Sequence, residues 1–99
     1  MISKDIYITI GCQPGEPRPD AYFKNVIETL LNKYKWNDCQ KSFLNQHLEK
    51  EPFSKLFGEW KWELSTNNLT SNDISDIKKK IGIILIDYYN SGLIRFAEW

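Results

Sequence analysis

The sequence predicts one small α/β domain, with α+β as the alternative, in the order β-α-α-β-α-β with a three-stranded sheet packed against helices. Three observations predict it. Isoleucines alternate with other residues from Ile6 to Ile10, and bulky residues alternate with charges from Glu59 to Leu64. The stretches after each of these carry apolar residues at helical spacing. Ninety-nine residues make a single globular domain over 1–99. The chain is 41% apolar and 14% aromatic, enough to fill one core without disulfide or metal, and this argues against intrinsic disorder.

Ile6, Ile8 and Ile10 face one way along the first strand, and Asp5, Tyr7 and Thr9 face the other; Gly11 ends it. Pro14, Pro17 and Pro19, with Gly15 among them, make the next stretch an exposed, partly extended loop. Asp20 is placed to cap a helix that carries Phe23, Val26, Ile27, Leu30, Leu31 and Tyr34 on one side. Asn37 or Asp38 caps a second helix with Phe43, Leu44 and Leu48, which Pro52 interrupts. Phe53, Leu56 and Phe57 then form a short apolar turn closed by Gly58.

In the second strand Trp60, Trp62 and Leu64 share one face, and Glu59, Lys61 and Glu63 the other. Thr70 and Asp73 have capping-box spacing, and Leu69 and Ile74 the spacing of a hydrophobic staple. The third helix presents Ile74, Ile77, Ile81, Leu85 and Tyr88 inward. Its later half, Ile81 to Tyr89, also fits a buried strand, but the cap, the charged first half and the stop at Ser91-Gly92 favour helix. Leu93 to Trp99 reads as a terminal strand. Strand–helix–strand units favour parallel neighbours, with a mixed sheet left open by the long first crossover.

Thirteen basic and thirteen acidic residues give no net charge, which argues against nucleic acid as a partner. Met1 to Gly11 lacks a secretory pattern, and the longest apolar run, Ile81 to Ile86, is far below the ~18–20 residues of a membrane span. A cytoplasmic protein with no membrane partner is expected, with Cys12 and Cys39 as reduced thiols.

The residue types that chemistry needs are sparse. His47 is the only histidine, and its place beside Leu48 reads as a boundary or surface position. Cys12, Cys39 and His47 lack the paired spacing of a zinc site, so no metal is expected. No glycine cluster opens onto a helix to hold a phosphate, and no cofactor is expected. Glu59 and Glu63 point the same way, but Lys61 between them makes a self-compensating solvated face rather than an acid–base pair. Asp87 interrupts an apolar run and marks either a partly buried carboxylate or the helix's exposed side. Lys78, Lys79 and Lys80 spread around a helix instead of forming one patch. The expectation is a non-enzyme with no catalytic residues.

Binding surfaces are easier to name. Tyr7, on the polar side of its strand, Trp36, at a helix end, and Trp99, at the last position, are candidate aromatic anchors; Trp60 and Trp62 belong to the core. Gln13, Glu16 and Arg18 lie in the proline-stiffened loop, where little entropy is lost on binding. Asp38, Glu59, Lys61 and Glu63 complete the candidate contact set.

From Ile6 to Trp99 the predicted order of elements resembles the barstar type of small bacterial inhibitor. The resemblance implies a three-stranded parallel sheet against helices, and a protein that blocks a toxic nuclease. In that family the second helix and the loop before it carry acidic inhibitory residues. Here Asp38 to Glu51 mixes Asp38, Glu49 and Glu51 with Lys41 and Lys50, so no residue roles are transferred. The expectation is an immunity protein that neutralises a bacterial toxin or nuclease domain by tight one-to-one binding to another protein. The alternatives are a module that self-associates through a strand edge, or a phage-encoded inhibitor of a host defence enzyme.

Overall fold

Isoleucine alternation does turn one face of the first strand inward: Ile6, Ile8 and Ile10 are buried and Tyr7 is exposed. The computed structural model describes residues 5–12, 19–56 and 58–99. Its elements are β1 (Ile6–Gly11), α1 (Pro19–Lys33), α2 (Asp38–Gln46), β2 (Ser54–Leu56), β3 (Glu59–Leu64), α3 (Ser71–Asn90) and β4 (Phe96–Glu98). The class is α+β. The sheet is antiparallel with strand order β2-β3-β1-β4.

Two expectations are corrected here. The sheet has four strands, not three, and neighbours are antiparallel, not parallel. The fourth strand, Ser54–Leu56, lies in the stretch whose Phe53, Leu56 and Phe57 have the apolar spacing of a turn; Phe57 itself falls outside the described residues. The strand's three paired residues are too few to show alternation. Ser54–Leu56 pairs with Lys61–Glu59, and between the two strands Gly58 takes a positive φ of 75° that favours glycine. The parallel expectation fails because each crossover skips one strand. β3 and β4 run the same way but β1 lies between them; β1 and β2 run the same way with β3 between. This connectivity is the split β-α-β arrangement of ferredoxin-like domains, with α2 added in the first crossover.

The helices bury their apolar sides against one face of the sheet. Phe23, Val26, Ile27 and Leu30 of α1, Phe43 and Leu44 of α2, and Ile77, Ile81, Ile84 and Leu85 of α3 join Ile6, Ile8, Ile10, Trp62 and Leu64 in one core. Trp62 is central to it. Its ring stacks on Phe23, centroids 4.5 Å apart and planes 5° from parallel, and its indole N–H donates to the Lys50 carbonyl at 2.9 Å.

Local signals set the helix ends. Asn37 and Gln40 form a capping box at α2, and Thr70 and Asp73 form one at α3, each worth about 1 kcal/mol. The two boxes interlock, because Asn37 Nδ2 donates to Asp73 Oδ1 at 2.9 Å and Gln40 Nε2 reaches Asp76 Oδ2 at 3.3 Å. The Asn37 hydrogen bond, followed by one from the Thr70 backbone, holds the Asp73 carboxyl below its ordinary value. α1 begins at Pro19 rather than being capped by Asp20, since proline's fixed φ and missing donor suit a first turn. At the far end of α3, Gly92 adopts φ 77°, with Gly92 N–H to Tyr89 O and Leu93 N–H to Tyr88 O. This Schellman closure confirms helix over 81–89 and leaves only Phe96–Glu98 of the expected terminal strand.

His47 is also corrected: it is buried, 3% exposed, not at the surface. It ends α2, rests on Phe43 with ring centroids 4.5 Å apart, and places Nδ1 2.8 Å from the Phe43 carbonyl. A carbonyl only accepts, so Nδ1 carries the proton. Burial, the larger influence, pushes its pKa below 6.5, partly offset by that hydrogen bond. The folded state therefore takes up a proton less readily than the unfolded chain. The His47 contribution to stability is complete above pH 6.5 and is lost as pH falls through the lowered folded value. Asp73 and Asp76, whose pKa values are lowered from 3.8, lose theirs only in more acidic solution. Urea unfolding at about pH 7 and about pH 5 should show wild-type stability falling across this window and a much flatter response in His47→Gln. Equal slopes in the two proteins would remove His47 as the cause.

Candidate protein-binding face

Pairing register decides what the uncovered side of the sheet displays, because directly paired residues share a face. Tyr7 pairs with Glu63, Thr9 with Lys61 and with Glu98, and Gly11 with Glu59 and with Phe96. Ser54 pairs with Lys61 and Leu56 with Glu59. All of these lie opposite the core face of Ile6, Ile8, Ile10, Trp60, Trp62 and Leu64. Asp5 precedes β1 with the parity of Tyr7 and belongs with them.

Tyr7 stands at the centre, 55% exposed. Its hydroxyl donates to Glu63 Oε1 at 3.2 Å. Around it the face carries four carboxylates, Asp5, Glu59, Glu63 and Glu98, against the ammonium of Lys61. Two features shape the rim. The Phe96 ring lies over Gly11, where an added Cβ would collide with it, so glycine lets the ring settle against the strand. Leu56 and Phe53, at 66% and 61% exposure, extend apolar surface along the β2 edge. Arg95 sits over the Phe96 ring, 5.9 Å from its centroid.

Four of the expected contact residues, Tyr7, Glu59, Lys61 and Glu63, are thus brought together. The others are not. Trp36 is half-buried: its indole N–H donates at 2.7 Å to the Leu30 carbonyl, which also accepts from the Tyr34 backbone N–H at the end of α1. Asp38 is exposed on the first turn of α2, beside a cleft of about 510 Å³ between α2 and the β3–α3 connection, which also takes in Cys39. Trp99 lies on the helix side, its ring against Gly82 of α3. Gln13, Glu16 and Arg18 fall outside the described residues. Asp87 is on the exposed side of α3. Cys12 is buried, Cys39 exposed, and both are thiols.

The sequence places Asp5 on the side of Tyr7 but leaves it out of the candidate contact set, and it does not place Phe96 and Glu98 on this face. Phe96 and Glu98 needed the β1–β4 register, which no local pattern supplies. Among the described residues no cluster of three histidine, cysteine or carboxylate side chains could hold a metal, and no helix is long and apolar enough to cross a membrane. The face offers contact chemistry: an amphipathic ring supplies area, and the carboxylates favour cationic groups.

The Tyr7–Glu63 contact has a direct signature. The Glu63 charge, then its hydrogen bond, then slight burial and the Asp5 charge all raise the Tyr7 phenol above its ordinary 10.0. NMR titration of the tyrosine rings should find Tyr7 ionising above 10.0 in the wild type and moving down in Glu63→Gln. No movement would mean that the two side chains do not meet in solution.

Comparison of the chain with protein-family models, with curated proteins and with solved structures finds no match, so the role of this face is argued from its own chemistry.

Proposed function

We propose that this chain is a protein-binding inhibitor that holds its partner on the open face of the sheet, and that it serves as an immunity protein against a bacterial toxin. The observation that carries this reading is the gathering of Tyr7, Glu59, Lys61 and Glu63 with Asp5 and Glu98 on a face that none of the described helices covers. Tyrosine is a frequent interface anchor because it buries large area while fixing few torsions. The surrounding carboxylates select the sign of the partner. A toxin that acts on nucleic acid carries a basic cleft to neutralise phosphates. An acidic, aromatic face of this size is complementary to such a cleft and would block it by occupancy. A phage-encoded inhibitor of a host defence nuclease would use the same physics.

Binding rather than catalysis is the activity in this reading, and it requires no cofactor. The inhibitor would act in the cytoplasm, where an exposed thiol such as Cys39 stays reduced.

A tagged chain exposed to lysate and secreted protein of the source organism should retain one stoichiometric basic protein and suppress that protein's activity. Tyr7→Ala should weaken capture by about 30-fold, the scale of an interface hot spot, and Glu63→Lys by at least as much. Glu28→Lys, on the exposed side of α1, should have no such effect. Capture that ignores both open-face changes, or a retained partner whose activity is unaltered, would remove this reading.

A further inference from the structure

At the corner where β1 begins and β3 ends, the open face sinks into a cavity of about 220 Å³. Asp5, Glu63 and Ser65 line it from the sheet, and Lys50, Glu51 and Phe53 from the connection between α2 and β2. Both walls are held by the fold. The Trp62 indole N–H donates to the Lys50 carbonyl at 2.9 Å, and the Phe53 N–H to the Lys61 carbonyl at 2.8 Å, so the connection is fastened to β3 at two points. On the sheet side the Thr66 N–H donates to Asp5 Oδ1 at 3.3 Å, and the Tyr7 hydroxyl to Glu63 Oε1 at 3.2 Å. A cavity fixed in this way loses little entropy when it is filled.

We propose that this cavity is the socket for one arginine side chain of the protein bound on the open face; the existence of that partner rests on the inhibitor proposal above. Size selects a side chain over a free ligand, because pockets that enclose a whole small molecule run to about 300–1,000 Å³ and this one is smaller. Charge selects a cation. Three carboxylates, Asp5, Glu51 and Glu63, line the cavity against one ammonium, that of Lys50. Among the described residues Lys50, Glu51 and Glu63 form no ion pair, so the acidic excess is not neutralised from within. The wall of mixed character selects the kind of cation. Among the described residues no three acidic, histidine or cysteine side chains could hold a metal ion, and Phe53, 61% exposed, adds an aromatic ring to the lining. A guanidinium is planar and weakly hydrated, so it can stack on that ring while its N–H fork bonds a carboxylate. A lysine ammonium is compact and strongly hydrated and has no such fork.

The peptide acetyl-Gly-Arg-Gly-amide, titrated into the isotope-labelled full chain, supplies the side chain without the partner. Backbone NMR signals of Lys50, Glu51, Phe53, Glu63 and Ser65 should shift saturably at about 1–10 mM peptide. The same peptide with neutral citrulline in place of arginine should bind about tenfold more weakly, and the lysine peptide should also bind more weakly than the arginine one. Glu51→Gln and Phe53→Ala alter exposed positions, so circular dichroism should not change, and each should weaken the arginine peptide about threefold. Glu28→Gln, on α1, should leave it unaffected. A citrulline or lysine peptide that binds as well as arginine would overturn the proposal. So would shifts that ignore Glu51→Gln and Phe53→Ala, or shifts spread evenly over the carboxylates of the molecule. Partner capture separates the socket from the inhibitor proposal. A chain that takes the arginine peptide in the cavity but retains no protein contradicts the inhibitor proposal alone. A partner lost with Tyr7→Ala but held equally well by the wild type, Glu51→Gln and Phe53→Ala contradicts the socket alone.

Discussion

Trp62 lies flat against Phe23, ring centroids 4.5 Å apart, and the one-sidedness of the molecule depends on that contact. Trp62 is on the strand next to β1, directly opposite Ile8, while Phe23 projects from α1. The same indole donates to the Lys50 carbonyl, tying down the chain between α2 and β2. One fully buried side chain thus holds the sheet, the first helix and the long first crossover together. Stacked aromatic pairs contribute about 0.5–1.5 kcal/mol beyond the area they bury, and losing such a ring from a core costs about 3–5 kcal/mol. With the helices fastened to that side, none of the described helices packs on the odd-numbered residues of β1 and β3.

That arrangement divides the labour between alternate residues of the same strand. Trp62 and Leu64 are buried, while Glu63 between them is exposed and bonded to Tyr7. Changes on the open side are therefore free of the packing constraints that govern the core. Such a face can be shaped for a partner with little effect on folding. The outer side of α3 is freed in a similar way, because Trp99 settles against Gly82 and the helix is already fastened by Ile77, Ile81 and Leu85. Glycine inside a helix costs about 1 kcal/mol relative to alanine, and here its missing Cβ gives the indole room.

Much of the fold was legible in the sequence, because local patterns carried it. Alternation placed Ile6, Ile8 and Ile10 opposite Tyr7, and Trp60, Trp62 and Leu64 opposite Glu59, Lys61 and Glu63. Capping-box spacing at Thr70 and Asp73 located the start of α3, and Ser91-Gly92 located its end. What was not legible was non-local. The strand at Ser54–Leu56 exists because its hairpin partner is Lys61–Glu59, not because three residues can signal a strand. Antiparallel order arises from strands inserted between the ends of each crossover, which no connection length encodes. His47 looked like a boundary residue because its nearest apolar neighbour in sequence is Leu48; its burial is set by Phe43, one turn earlier. Half of the binding face was visible for the same reason that half was hidden. Tyr7 and the β3 charges follow from strand parity, and Phe96 and Glu98 follow only from register.

One face of β3 holds the core and the other does not, and a scan along that strand separates the two. Urea unfolding would be measured for Trp62→Ala, Leu64→Ala, Lys61→Thr and Glu63→Thr. Trp62→Ala and Leu64→Ala should each lose about 2–5 kcal/mol, and the two threonine variants should stay within about 1 kcal/mol of the wild type. If Lys61→Thr or Glu63→Thr cost as much as Trp62→Ala, the open face would be holding the fold together, and its reading as a free binding surface would be wrong.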